Sequence, residues 1–365
     1  MAGKAEVEIC NMNGMYLFLK LRFLPRLLPL LPLISFPFLS CVSDAISAEE
    51  YFAIGMAYFD MGKYAEAEAW LIKARSAKKT VTASDYNLGR IAFETKRYEE
   101  AARYFERVLA KDPNNVQALK AVAYTRIKTG ELDKAEAYYS RTLEMAPESA
   151  DSGYNYALVL YALKKYDKAE EILAQHPVAL RENKDSLLLY ARVQKAQSKP
   201  EAVDSYALWL AANDDPQARY EYGVCLEYTR LYALALETYR AAYEAMPADN
   251  KNPTKPEARF AIARVSLIAD SDNDEGIAEL EGAIMDGFTD FDAVALLLTE
   301  DGVSEARKAD IQRVIDNPPS RTSEAPAVAE ESDAAEHVTE QSPESAAGEA
   351  AAAPVNDAEP SQKTP

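Results

Sequence analysis

Residues 86–113 read YNLGRIAFETKRYEEAARYFERVLAKDP, and residues 120–147 read KAVAYTRIKTGELDKAEAYYSRTLEMAP. Laid over one another at an offset of 34, they agree in kind at six places: Leu88 with Val122, Gly89 with Ala123, Tyr98 with Leu132, Ala101 with Ala135, Phe105 with Tyr139, and Pro113 with Pro147. Apolar residues three, four and seven apart share one face of a helix. Each 34-residue unit therefore reads as two amphipathic helices folded back on each other. Upstream, the pattern returns at Tyr51, Ile54, Gly55, Tyr58, Gly62, Tyr64, Ala67, Leu71 and Ala74. Downstream it returns at Tyr156, Ala157, Tyr166, Ala169 and Leu173. A fifth copy is worn, marked by Leu189, Ala202 and Tyr206, and a sixth recovers at Gly223, Tyr232, Ala235, Tyr239, Ala242 and Pro247.

Each recurring residue has a physical role. The small residue of the first helix (Gly55, Gly89, Ala123, Ala157, Gly223) and the alanine twelve further on (Ala67, Ala101, Ala135, Ala169, Ala235) are expected where the paired helices approach most closely. A larger side chain there would force them apart at a cost of roughly 1–3 kcal/mol. Pro113, Pro147 and Pro247 are expected to end the second helix by withholding a backbone donor.

In period and signature positions, residues 48–249 resemble the tetratricopeptide repeat family over five clear copies and one degenerate copy. The resemblance implies an all-α, right-handed superhelical solenoid of antiparallel helix pairs, with the first helix of each pair lining the concave surface. A divergent seventh pair is expected over 250–287, from Pro256–Ile268 and Asp274–Met285, with a lengthened link at Asp270-Ser271-Asp272-Asn273. Residues 288–316, with apolar faces at Leu296–Leu298, Ile311, Val314 and Ile315, read as a helical cap that lets the last repeat end in water.

The ends have different compositions. Lys20, Arg22 and Arg26 precede an uncharged run, Leu27 to Val42, that is too short and too rich in proline to span a bilayer as a helix. Residues 1–40 read as a signal peptide, with Met12 or Met15 as alternative starts. The run ends Phe38-Leu39-Ser40-Cys41, which resembles a bacterial lipobox and implies lipidation of Cys41, a short tether over 41–47, and a membrane-anchored protein facing the periplasm. Cleavage near Ala45 or Ala48, giving a soluble periplasmic protein, and an uncleaved anchor are the alternatives. At the other end, residues 317–365 hold ten acidic side chains against Arg321 and Lys363, lack aromatics, and are expected to be disordered.

A net charge of −19 and a pI near 4.7 argue against nucleic acid as a partner, since that binding draws on clustered Lys and Arg. Enzyme signatures are missing. His176 and His337 are the two histidines, too few for a multi-His metal site, and no phosphate-cradling glycine loop or paired-Cys motif occurs. The segment Asp270–Asp274 lacks the spacing of an EF-hand and reads as a solvated turn. Cys225 reads as a small packing residue. No cofactor and no catalysis are expected.

What remains is the inner wall. The concave positions of the first helices are occupied by Phe52, Met56 and Phe59; Tyr86, Arg90 and Phe93; Lys120, Tyr124 and Lys128; Tyr154, Leu158 and Tyr161; and Tyr220, Glu227 and Tyr228. Two readings stand: a partner groove lined by nine aromatics, or packing between neighbouring repeats. Arg90, Lys120 and Lys128 form a basic island suited to a carboxylate or an acidic segment. The functional expectation is a scaffold that binds a peptide or protein partner. The alternative is a transport component holding a small hydrophobic or carboxylated molecule.

Overall fold

The protein is described by a computed structural model covering residues 46–76, 80–270 and 274–319, so the leader with Cys41, the centre of the Asp270–Asp274 turn and the acidic tail lie outside the described residues. Seventeen α-helices, one 3-10 turn and no strand occur among those described. Seven antiparallel pairs follow one another: α1 (Ala48–Asp60) with α2 (Tyr64–Ala74), α3 (Val81–Glu94) with α4 (Tyr98–Lys111), α5 (Val116–Lys128) with α6 (Leu132–Met145), and α7 (Ala150–Ala162) with α8 (Tyr166–Ala174). A short α9 (Pro177–Glu182) intervenes. Then come α10 (Lys184–Ala196) with α11 (Ala202–Leu210), α12 (Pro216–Tyr228) with α13 (Tyr232–Ala245), and α14 (Lys255–Ala269) with α15 (Glu275–Asp286). The cap is α16 (Phe291–Leu296), the 3-10 turn Leu297–Thr299 and α17 (Glu305–Asp316). This is the all-α superhelical solenoid expected from the repeat.

The hairpin turn has a single design. The first helix closes with its C′ residue in the left-handed region and two capping bonds, as at Lys96, whose N–H reaches Phe93 O at 2.9 Å while that of Arg97 reaches Ala92 O at 2.7 Å. The left-handed residues at the hairpin turns of the first six pairs are Gly62, Lys96, Gly130, Lys164, Ser198 and Arg230. The first five are 34 apart, so the fifth repeat keeps the period where its side chains have lost it. The second helices of these pairs carry no side-chain cap. Five of the seven first helices are capped by side chains instead: Ser47 with Glu50 in a capping box, Asn115 on Ala118, Asn183 on Ser186, Asp215 on Ala218, and Thr254 with Glu257 in a second box.

Two expectations change in detail. The residue lying over the first-helix glycine is sixteen positions on, not the alanine at twelve: a Cβ on Gly89 would meet Phe105 Cε1 at 2.6 Å, and one on Gly223 would meet Tyr239 Cε1 at 2.6 Å. The prolines also stand two residues beyond the helix ends. What stops the helices is the residue before each proline, since the ring disfavours helical backbone there: Asp112, Ala146 and Met246 have ψ of 87°, 69° and 129°.

The fifth pair opens its second helix differently, with Val203 N–H bonding three residues back to Pro200 O where Ala101 N–H in the second repeat bonds four back to Arg97 O. Ala202 stands one residue before the periodic alanine position and is fully buried beside Ala191, Tyr206 and Cys225. The cores form a row in which each cluster draws on consecutive repeats, such as Ala67, Leu71, Leu88 and Ile91 across the first two pairs. Stability is therefore nearest-neighbour along the solenoid. Ion pairs repeat at the same joints on the surface: Arg97 with Glu68, Lys165 with Glu136 and Lys199 with Glu170.

Candidate functional site

The predicted inner-face residues are all half-buried, and the structure divides them by position along the first helix. The earliest set lies on the core of its own repeat. Tyr86 packs on Phe105 with ring centroids 5.5 Å apart and Tyr220 on Tyr239 at 5.2 Å, while Phe52 sits against the Leu71 cluster and Tyr154 against the Tyr156 cluster. Burial, with the Asp185 charge adding, pushes the Tyr154 hydroxyl up to about 12.

The middle positions meet across repeats. The Arg90 guanidinium lies 4.4 Å from the Phe59 ring centroid, and Phe93 and Tyr124 are 5.4 Å apart. Both pairs are 31 residues apart in sequence. Tyr161 and Arg192 have the same spacing and interact electrostatically, although burial is the main cause that raises the Tyr161 hydroxyl. At the last joint, where the chain carries extra residues, Arg264 donates to both carboxylate oxygens of Glu227 at 2.6 and 2.7 Å, and Tyr239 Oη donates to the same carboxylate at 2.9 Å. Tyr161 also packs at a tilt on Tyr166, with ring centroids 5.5 Å apart, and Tyr228 Oη donates to Lys199 O at 2.6 Å.

The cations fall into two groups. Arg192 Nε is 2.9 Å from Glu221, whose other oxygen is 3.5 Å from Lys195, and Tyr206 Oη donates to Glu221 at 3.0 Å. Burial works against the Glu221 charge, but Lys195, Arg192 and these hydrogen bonds hold its carboxyl below the usual range. Arg264 is similarly neutralised by Glu227. By contrast, among the described residues no carboxylate pairs with Arg90, Lys120 or Lys128. Arg90 donates to Asn87 Oδ1 at 3.1 Å and Lys128 lies 5.3 Å from the Tyr124 ring. Lys120, Tyr124 and Lys128 are four apart on α5 and so share a face. Asn87 and Asn155 each spend their amide N–H on a carbonyl of their own helix.

Arg192, Lys195, Glu221 and Arg264 were missed in the sequence. Counting on by 34 from Arg90 reaches Tyr124, Leu158 and then Arg192, so the period alone marks that one. Its repeat lacked the small and aromatic landmarks that would have prompted the count.

These features define a helical-hairpin solenoid whose first helices meet at aromatic and ionic joints and in which, among the described residues, Arg90, Lys120 and Lys128 lack carboxylate partners. Sequence models of the tetratricopeptide repeat match residues 52–116 and, with a second model, residues 92–143 and 126–193. The chain is a tetratricopeptide repeat protein. No curated protein matches it in sequence. Similar solved structures include a tetratricopeptide repeat protein from Parabacteroides merdae, at 20% identity over 69% of this chain and 98% of that one, TM-score 0.47. MamA is similar at 19% identity over 46% of this chain and 92% of that one, TM-score 0.43. YrrB, described as a TPR protein with an unusual peptide-binding site, is similar at 20% identity over 51% of this chain and 93% of that one, TM-score 0.44. The family assignment rests on the sequence matches and the helix-pair geometry.

Proposed function

We propose that this protein is an interaction scaffold that holds an extended protein segment on its concave face, with an acidic stretch or carboxylate of that segment over Arg90, Lys120 and Lys128. The observation that carries this reading is the contrast in charge pairing. In a chain of net charge −19, the other inner cations described above are tied to Glu221 and Glu227, whereas Arg90 meets a ring and an amide, Lys128 meets a ring, and Lys120 has no carboxylate partner among the described residues. Tyr124 and Phe93 supply rigid contact area beside them. The long-range field of the protein repels an acidic ligand, so binding one requires a local cause.

The test uses fluorescein-labelled hexaglutamate and hexalysine peptides in anisotropy titrations. The expected result is salt-sensitive binding of hexaglutamate that is lost in the triple variant Arg90→Glu/Lys120→Glu/Lys128→Glu, with unchanged helical circular dichroism. Binding that survives the triple variant overturns the reading. Crosslinking in the native cell then identifies the partner.

Anchoring through Cys41 to a bacterial envelope membrane is part of the same proposal, supported by the lipobox-like Phe38-Leu39-Ser40-Cys41. Labelling with a fatty-acid analogue should mark the natural chain and fail with Cys41→Ser. Equal labelling of both removes the anchor from the proposal.

A further inference from the structure

Where the concave face reaches the cap, α12, the start of α13, α14 and the segment after the 3-10 turn line an open recess of about 330 Å³. Val224 and Ile268 contribute its apolar surface, Tyr228 and Tyr232 its rings, and Glu300 a carboxylate at the rim. The Glu227–Arg264 pair completes the lining. We propose that this recess takes the basic side chain, lysine or arginine, of a protein segment bound along the concave face; the proposal rests on the reading of that face as a segment-binding surface.

The chemistry of the walls selects the ligand. Glu227 is satisfied by two bonds from Arg264 and one from Tyr239, and its charge cancels that of Arg264. Glu300 is exposed and has no ion-pair partner among the described residues, so the lining carries a net negative charge. An anion would meet an arginine whose charge Glu227 already offsets and a carboxylate at the rim. A cation meets that carboxylate and two tyrosine rings, whose faces attract ammonium and guanidinium groups. The alkyl stem of lysine or arginine suits the surface of Val224 and Ile268, since such side chains lay their methylenes on apolar ground and keep the charge at the polar end. The volume lies at the small end of ligand pockets, matching a side chain better than a cofactor.

The recess is also held in shape. Tyr228 is fixed by its hydroxyl on Lys199 O at 2.6 Å. Gly302 presses on α14 so closely that a Cβ there would lie 2.9 Å from Ile268 Cγ2, and Val303 N–H closes the turn on Glu300 O at 3.2 Å. A rigid pocket spends little of its binding free energy on ordering itself. Its sign is opposite to that of the Arg90, Lys120 and Lys128 patch, so the bound segment would place acidic residues over α3 and α5 and a basic residue at the cap.

The test is saturation-transfer NMR on the full chain with three probes: Nα-acetyl-arginine amide, Nα-acetyl-lysine amide and the uncharged Nα-acetyl-norleucine amide, each up to about 10 mM, the range suited to ligands this small. The two basic probes are expected to show transfer and the norleucine probe none. Glu300→Gln, a surface change that spares the fold, should weaken the arginine probe by about threefold to fivefold, and Tyr232→Ala should reduce it further. Equal transfer to norleucine, no transfer to either basic probe, or an unchanged arginine probe in Glu300→Gln overturns the proposal. The probes need no contact with the basic patch. Loss of hexaglutamate binding with retained arginine-probe binding bears on the patch alone, and the converse bears on the recess alone.

Discussion

Arg264 closes on Glu227 across the joint between the sixth and seventh helix pairs, with Nε at 2.6 Å and Nη2 at 2.7 Å from the two carboxylate oxygens. The two side chains are 30% and 17% exposed, so the pair is only partly shielded from water. Burial opposes the charge on Arg264, but the carboxylate raises its affinity for its proton further still. Because each repeat touches only its neighbours, this contact ties the cap-bearing end to the rest of the solenoid.

Removing one partner should cost more than removing both. Glu227→Ala strands the guanidinium and is expected to destabilise the seventh pair and cap by about 2 kcal/mol, below the 3–5 typical of fully buried pairs because water still reaches Arg264. Glu227→Leu/Arg264→Met should restore most of that loss. Urea denaturation of the three variants checks this, and a double variant weaker than the single one would refute it.

Lys96 and Lys164 occupy left-handed backbone at φ of 60° and 58°, where Gly62 and Gly130 stand in sister repeats. A side chain there costs of order 1 kcal/mol against the glycine that the turn prefers, partly offset by glycine's greater freedom when unfolded. Lys96→Gly and Lys164→Gly should each stabilise the fold by about 0.5 kcal/mol. A lower melting temperature in either variant contradicts this.

Gly89→Ala should destabilise by about 1–3 kcal/mol, because the new methyl meets the Phe105 ring. Gly89→Ala/Phe105→Leu copies the fourth repeat, in which Ala157 is combined with Leu173 at the same places, and should recover part of the loss. Thermal unfolding of the two variants compares them. No recovery in the double variant would show that the backbone and not the ring sets the limit.

Glu221 makes the fifth and sixth pairs acid-sensitive. Burial raises its pKa, but Lys195, Arg192 and the hydrogen bonds from Arg192 and Tyr206 outweigh it, so the folded value lies below the unfolded one. The stabilisation is complete above the ordinary glutamate value of about 4.3 and is lost as pH falls through the lower folded value. The melting temperatures of the natural chain and Glu221→Gln should therefore differ most near pH 6 and converge as pH falls below about 4. A constant gap across that window would rule out this linkage.

How much was legible depends on the kind of contact. The recurrence of Gly55, Gly89 and Gly223 is local and was visible because a repeated hairpin shows its small residues in each copy, but the sequence set the alanine twelve residues on against them, and only the structure placed Leu71, Phe105 and Tyr239, sixteen on, over the glycines. Contacts between repeats are different. Phe59 with Arg90 and Phe93 with Tyr124 use unlike side chains at equivalent places, so no single consensus marks the joint. Glu227 and Arg264 are 37 apart because residues inserted after α13 break the 31-residue spacing.

The sequence by itself determined the period, the two-helix unit, the glycines and alanines of close approach and the uneven distribution of charge, since each follows from residues a few turns apart on one chain. Only the tertiary structure decided which inner residues are joints and which cations are neutralised. Stacking brings side chains from successive first helices within a few ångströms of one another. At that range, whether a lysine or arginine meets a carboxylate or a ring decides whether its charge is left for a partner.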